Sequence, residues 1–384
     1  MEYNLQASTS SLYIHWPFCP YKCQFCPFVA LARHEDFIEE YHRALIKEIE
    51  NFAKGHEKME PLKTIYLGGG TPSTYPNKLL LDTFGTLRST FNFNQISEIT
   101  IEANPGTVQA DQLKVWKQVG ITRLSIGVQS LNDKILENLN RHQKAKDVYR
   151  LVDRAAGMFN SLSIDLIIGL PGVTETEWKQ LIKEVVTWPI EHVSMYFLSI
   201  HENTPLYFRI KKKDIVLAPD EATVDLYYWS VNMLEQYGFT QYEISNFAKE
   251  GYESKHNRVY WDRKSYKGFG LGACSFDGAA RFQNEKNLKR YLENVQKGTM
   301  ITIFSETLTL QDVRLEILML GLRRKQGVIV EEVLHNLPEE KKNKFLCRVE
   351  ELEKGNFVRR DKERLYLTPA ALAVENEIAV KLSF

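Results

Sequence analysis

At 384 residues the chain is long enough for one large domain plus a smaller one, or for two of middling size. Its 49 Lys and Arg balance its 49 Asp and Glu, which argues against any overall pull toward nucleic acid or an anionic membrane. No apolar run approaches bilayer length, and the polar start Met1–Ser10 lacks the build of a signal peptide. Five cysteines, three of them clustered, suit metal-binding thiols in a reducing cytoplasm better than a disulfide framework.

Strand-like runs rich in Ile, Val, Leu and Tyr fall at 12–16, 64–67, 98–103, 123–128, 162–168 and 192–198, as buried parallel strands do. Helical periodicity fits 36–53, where Phe37, Tyr41, Leu45, Ile49 and Phe52 recur at three-to-four spacing and Gly55 marks the stop. Further helices fit 78–89, 110–119, 145–158, 175–187 and 219–237. Strand then helix, six times over, predicts a parallel sheet with helices outside, either an open doubly wound sheet or an incomplete barrel. Unusual residues follow the carboxyl ends of all six predicted strands, where barrel enzymes keep their sites, whereas an open sheet gathers ligands at one switch point. The expected fold is therefore α/β, a partial (β/α)6 TIM-like barrel over residues 1–237.

Residues 238–305 lose the alternation and read as a linking, edge-covering segment, with 241–248 and 266–276 irregular or antiparallel. Residues 306–384 read as a smaller C-terminal domain. Helices at 309–322, 331–337 and 339–352, a hairpin at 357–367 turning at 361–364, and a final helix at 369–381 resemble a winged helix. Its mixed charges favour packing or partner contact over DNA.

The first predicted strand runs into Cys19, Cys23 and Cys26, a C-x3-C-x2-C loop. Three thiolates suit three irons of a [4Fe–4S] cube and leave the fourth iron open for chemistry. A zinc site is the alternative, with a fourth ligand recruited from His15 or His34. Trp16, Phe18, Tyr21, Phe25 and Phe28 interleave the cysteines and would shield a cluster from water. Gly68-Gly-Gly-Thr-Pro72 lets backbone approach a ligand closely, although a tight strand-to-helix turn would use glycine too. Glu102 and Asp165 are single carboxylates within apolar strands, and each needs hydrogen bonds from a ligand, from Arg123 or Arg141, or from backbone. Gln129 and Arg141 are common helpers in any polar pocket.

The cysteine loop, the Gly-Gly-Gly-Thr-Pro turn, Ile101-Glu-Ala-Asn-Pro105, Ser125-Ile-Gly-Val-Gln-Ser130 and Ile164-Asp-Leu-Ile-Ile-Gly-Leu-Pro-Gly172 together resemble a radical S-adenosylmethionine (SAM) protein. Within that superfamily they resemble the branch of oxygen-independent coproporphyrinogen III oxidase and the HemW-type heme chaperones. The resemblance implies a [4Fe–4S] cluster on Cys19, Cys23 and Cys26. It also implies S-adenosylmethionine lined by Tyr13, Phe25, Gly69, Gly70, Thr71, Glu102, Gln129, Arg141 and Asp165. One electron through the cluster would cleave the sulfonium to a 5′-deoxyadenosyl radical.

Three features separate the branches. The oxidases have another cysteine two places after the triad, where this chain has Phe28, and they carry a longer arm ahead of the loop. Tyr242-Glu-Ile-Ser-Asn-Phe-Ala248 and His256-Asn-Arg-Val-Tyr-Trp261 resemble the chaperone signature, whose His-Asn-x-x-Tyr element is associated with heme. The expectation is a cytoplasmic heme chaperone. Heme would lie at His256, Asn257 and Tyr260, with heme-accepting proteins and an electron donor as partners. Peripheral membrane contact is left open and no nucleic acid is expected. The rival implied by the same resemblance is the oxidase, an enzyme that decarboxylates two propionates. On residue type alone, His256 beside Asn257, Tyr260 and Trp261 also fits a hydrogen-bonded packing residue. Cys274 and Gln143 stand where relatives have histidine; Cys274 reads as inert and buried, and Cys347 as core.

Overall fold

The computed structural model describes residues 9–54 and 60–383, so most of the polar start and the predicted helix stop at Gly55 lie outside the described residues. Six strands form where the apolar runs fall: β1 (Ser11–Trp16), β2 (Thr64–Gly69), β3 (Glu98–Ala103), β4 (Arg123–Gln129), β5 (Ser161–Ile168) and β6 (His192–Phe197). They pair in parallel in strictly sequential order. A doubly wound sheet would reverse its order partway, so this is a barrel built from one edge to the other. The two edge strands of the sheet do not pair with each other, and the barrel stays open.

Alternation along each strand sorts the residues. Leu12, Ile14 and Trp16 of β1, with Ile65 and Leu67 of β2, are buried in the apolar layer under the helices. The helix Ile38–Lys54 supplies Tyr41, Leu45 and Ile49 to that layer, as its spacing predicts. The other face of each strand carries polar residues into the lumen. Two short helices, Asp133–Asn138 and Pro205–Lys211, are absent from the sequence reading, since each has too few turns for a periodic signal.

Beyond residue 237 the expected arrangement needs correction. The strand Lys267–Phe269 is neither irregular nor antiparallel but runs parallel to β1 as an added edge. Asn246–Ala248 pairs antiparallel with β6, and Thr240–Glu243 follows it outward. Cys274–Phe276, Ala280–Asn284 and an unanticipated strand, Thr302–Thr307, make a separate antiparallel sheet. The His-Asn-x-x-Tyr-Trp stretch forms the helix Lys255–Trp261, whose first turn is held by Glu98: the N–H groups of Lys255 and His256 donate to its carboxylate at 3.0 and 2.9 Å. That helix plugs the amino-terminal end of the barrel.

The C-terminal segment has a core of its own, including Leu318, Val333, Phe345, Val349 and Leu365. Helices Leu310–Leu322, Val330–Leu334 and Glu339–Lys354 surround a three-stranded sheet of Val328–Ile329, Arg364–Leu367 and Val358–Asp361. The predicted final helix is a 3₁₀ turn, Pro369–Val374, and then the helix Glu375–Leu382. Cys347 is exposed rather than core, because its helix buries the face of Phe345, Val349 and Leu352.

Glu243 fastens this segment to the barrel. Its buried carboxylate accepts from Arg323 Nε at 2.7 Å, from Ser245 N–H at 2.8 Å and from the Asn246 side-chain amide. Arg323→Ala would strand that carboxylate without its cation and is expected to cost about 3 kcal/mol. Urea unfolding followed by intrinsic fluorescence should then show the C-terminal segment melting ahead of the barrel; a single transition at the wild-type midpoint would refute this.

Candidate functional site

The carboxyl ends of β1 to β6 surround a cavity of about 700 Å³. Cys19, Cys23 and Cys26, all free thiols, lie on its wall beside Gly69, Gly70 and Thr71. Register accounts for this closeness: β1 pairs with β2 as far as Trp16 opposite Gly69, so the loops that follow leave side by side. Gly70 N–H then donates to the Trp16 carbonyl at 2.7 Å and Thr71 N–H to the Phe18 carbonyl at 3.0 Å. These donors are used within the protein and are not free for a ligand, whose amino group needs acceptors instead. At Gly69 (φ 117°) a Cβ would fall 2.6 Å from the His15 ring, so close packing as well as ligand approach requires glycine there.

The cysteine loop is clamped from outside. Gln24 N–H donates to the Leu139 carbonyl at 2.9 Å, Asn140 Nδ2 to the Lys22 carbonyl at 2.8 Å, and Arg209 to Gln24 Oε1 at 2.6 Å. The two unanticipated short helices therefore position the thiols. Thr71 Oγ1 donates to Cys19 Sγ at 3.2 Å, and Arg141 Nη1 approaches Cys23 Sγ at 3.6 Å. Burial pushes the Cys19 thiol up to about 11 despite the Thr71 hydrogen bond, and coordination to a metal would remove that proton outright.

Neither candidate zinc histidine turns to the cysteines. His15 donates through Nε2 to the Val29 carbonyl at 2.8 Å and accepts at Nδ1 from Tyr13 Oη at 3.0 Å, while His34 Nδ1 bonds the Ala32 carbonyl at 2.7 Å. Among the described residues no group of three or more His, Cys, Asp or Glu side chains is arranged around a single metal ion. A cube whose three thiolates each bind a different iron does not need such convergence, so the donor set fits a [4Fe–4S] cluster. The aromatic shield is smaller than expected. Trp16 stacks on Tyr75 with ring centroids 3.8 Å apart, away from the cavity, and Phe28 is 62% exposed.

Phe25, Glu102, Gln129, Arg141 and Asp165 line the same cavity, together with Gly69, Gly70 and Thr71. Tyr13 does not reach its wall. Its ring lies under Gly68 and roughly parallel to Tyr66, with centroids 6.2 Å apart. Glu102 accepts from Tyr66 Oη at 2.7 Å and Gly69 N–H at 3.3 Å, and Asp165 from Ser125 Oγ at 3.1 Å. Neither bonds directly to an arginine. Burial pushes Glu102 up to about 7 against the Tyr66 hydrogen bond, with Asp165 adding to the rise; burial also raises Asp165 against hydrogen bonds from Ser194 and Ser125. Two buried carboxylates with no paired cation suit a positively charged ligand.

Arg141 is held by Gln143 and by the backbone of β4, a role the sequence analysis did not assign them. Its Nη2 donates to the Gly127 carbonyl at 2.6 Å and its Nε to Gln143 Oε1 at 2.9 Å, while Gln143 Nε2 donates to the Val128 carbonyl at 2.7 Å. A Cβ on Gly127 would lie 2.8 Å from Arg141 Nη2, and the strand shifts register there, leaving Gln129 at φ 64°. Gln143 thus positions Arg141 where relatives were expected to use histidine. From the C-terminal segment, Arg323 and Glu375 also reach the cavity. Glu375 is 4% exposed with Oε1 unpartnered, and burial lifts it to about 7. No sequence signal marked it.

The heme candidates separate. Asn257 faces the cavity, but His256 and Tyr260 do not. His256 is fully buried, with Nδ1 2.8 Å from Thr64 Oγ1, Nε2 2.9 Å from Tyr260 Oη, and its ring against Tyr66. Thr64 gives its own proton to Ser11, so His256 donates at Nδ1 and accepts at Nε2. The lone pair an iron would need is occupied, and desolvation lowers the ring to about 3. The geometry is that of the packing residue. Cys274 is exposed, which corrects its reading as buried.

A barrel whose strand ends gather three thiols, a glycine turn and two buried carboxylates without a close ion pair defines a radical SAM protein, and residues 13–185 match the model of the Radical SAM superfamily. The heme chaperone HemW of Bacillus subtilis is 34% identical over 96% of this chain and 97% of its own. HemW of Lactococcus lactis is 31% identical over 97% of each. The chain belongs to the HemW family. Its fold is also that of the Escherichia coli radical SAM enzyme coproporphyrinogen III oxidase, HemN, with a TM-score of 0.84 at 24% identity over 100% of this chain and 91% of that one.

Glu102 generates a pH prediction. Its folded value lies above the ordinary 4.5, so the stabilisation from holding the proton is complete below about pH 4.5 and is lost as pH rises through about 7. Ligand-free protein is expected to lose on the order of 2 kcal/mol between pH 5 and 8 from this group. Glu102→Gln should flatten the difference in denaturant midpoints; equal slopes in both proteins would refute it.

Proposed function

We propose that the protein is a heme chaperone that binds heme and hands it to acceptor proteins. In this reading Cys19, Cys23 and Cys26 hold a [4Fe–4S] cluster, and the adjoining cavity holds S-adenosylmethionine. The observation that carries it is the identity of 34% with a heme chaperone across 96% of this chain. The cavity supports the cofactor set: its thiols are grouped, and Glu102 and Asp165 offer negative charge to a sulfonium and an ammonium. When bound, the cluster and S-adenosylmethionine together supply one-electron, radical-forming chemistry. The protein's own residues orient and enclose. Arg141, fixed by Gln143, presents a guanidinium for a carboxylate, and Tyr66 holds Glu102 in place.

Heme-accepting proteins and an electron donor are the partners this reading requires. Free cysteines fit a reducing cytoplasm, and no helix among the described residues is long and apolar enough to cross a membrane. The rival, coproporphyrinogen III oxidation, is disfavoured by Phe28, which stands exposed at the cavity where the oxidases were expected to place a cysteine.

Anaerobically reconstituted protein should show [4Fe–4S] absorption that disappears in the triple variant Cys19→Ala, Cys23→Ala, Cys26→Ala, while the visible spectrum of added hemin shifts on binding. Incubated with S-adenosylmethionine, a reductant and coproporphyrinogen III, it should form no protoporphyrinogen. Sustained product formation would overturn the chaperone reading in favour of the oxidase.

A further inference from the structure

A second cavity, of about 840 Å³, opens at the opposite end of the barrel, between the plugging helix Lys255–Trp261 and the C-terminal segment. Its walls carry seven cationic side chains, Lys63, Lys255, Arg258, Arg263, Lys264, Arg324 and Arg364, against two acids, Asp262 and Glu332. In a chain with zero formal net charge, that excess of five is local. Asp262 is already shared between Lys264 at 3.0 Å and Arg324 at 2.5 Å, and Arg263 is paired outside the lining with Glu316 at 2.8 Å. Arg364 reaches only the Gln326 and Gly327 carbonyls, and Lys63 and Arg258 have no ion pair among the described residues.

A second observation points to a ligand. Arg263 Nη2 and Arg324 Nε are buried with no hydrogen-bond acceptor, although both guanidinium groups are otherwise engaged. A buried donor left unpaired is unfavourable by about 1–3 kcal/mol, and an anion seated in the cleft would relieve it once these guanidinium groups turn toward it. Guanidinium forks match carboxylate and phosphate geometry. The remaining wall is apolar, with Val259, Trp261, Ile317 and Ile329, so the ligand has acidic groups on an apolar body.

We propose that this cleft receives the propionate carboxylates of heme, with the tetrapyrrole against the Trp261 and Ile317 walls. The proposal rests on the heme-chaperone reading. It places heme on the far side of the plugging helix from the thiol cavity and leaves His256 as the support behind the cleft: His256 bonds Thr64, and Thr64 is itself on the cleft wall. A cargo held by its carboxylates, with no side chain locked onto iron, can be passed to an acceptor that supplies the iron ligand.

The test is a titration of cluster-loaded protein with hemin and with hemin dimethyl ester, in wild type and in the double variant Lys63→Glu, Arg258→Glu. Both substituted residues are exposed, so folding is not at stake, and the ester arm needs no variant at all. Wild type should bind hemin about tenfold or more tighter than the ester, and charge reversal should abolish that difference. Equal affinity of wild type for hemin and ester, or hemin binding unchanged by charge reversal, would overturn the cleft while leaving the chaperone reading intact. No hemin binding by wild type would sink both.

Discussion

Two backbone hydrogen bonds, from Gly70 to the Trp16 carbonyl and from Thr71 to the Phe18 carbonyl, join the glycine turn to the cysteine loop. Everything at the mouth of the barrel depends on that junction. It follows from the parallel register of β1 with β2, which brings two strand ends to the same height and sends both loops the same way. The thiols acquire their direction from it, and so does Glu102, whose second oxygen meets Gly69 N–H on the same turn. A side chain at Gly69 would strike His15, and one at Gly70 would lie 2.5 Å from the Pro17 carbonyl. The turn is therefore constrained from the packed side as tightly as from the ligand side.

The lumen beneath holds a second kind of polar layer. His192 is bonded by Ser163 at 2.7 Å and Tyr242 at 2.6 Å, Arg123 by Ser161 at 3.0 Å, and Glu98 by the first turn of the plugging helix. These groups satisfy one another and need no ligand. Glu102 and Asp165, two layers up, each accept fewer hydrogen bonds than Glu98 does. Spare hydrogen-bonding capacity, more than residue type, separates the site from its support. His256 belongs to the support, with one nitrogen donating and the other accepting within the protein.

The C-terminal segment does more than cover an edge. Through Arg323 on Glu243 it is anchored to Thr240–Glu243, the outermost strand of the large sheet, and through Glu375 it sets a carboxyl with one unpartnered oxygen into the thiol cavity. At the other end it supplies Arg324, Ile329 and Arg364 to the basic cleft. Both cavities are thus formed jointly by barrel and C-terminal segment. The same helix, Leu310–Leu322, leads into Arg323 on the thiol cavity and Arg324 on the basic cleft.

Local pattern carried most of the fold. The six parallel strands and the longer helices are legible because an apolar period of two or of three to four residues records which face is buried. The cysteine spacing states metal-binding chemistry within a few residues, and the five motifs read together narrow it to a radical SAM site. The short helices at 133–138 and 205–211 have too few turns to leave a periodic signal, and the parallel pairing of 267–269 with β1 depends on a partner distant in sequence. By itself the sequence determined the class of cofactor and the order of strands. Only the tertiary structure decided that His256 is sealed, that Gln143 aims Arg141, and that basic residues from 63 to 364 face one cleft. Hydrogen bonds and burial between remote segments leave no periodic trace in the chain that makes them.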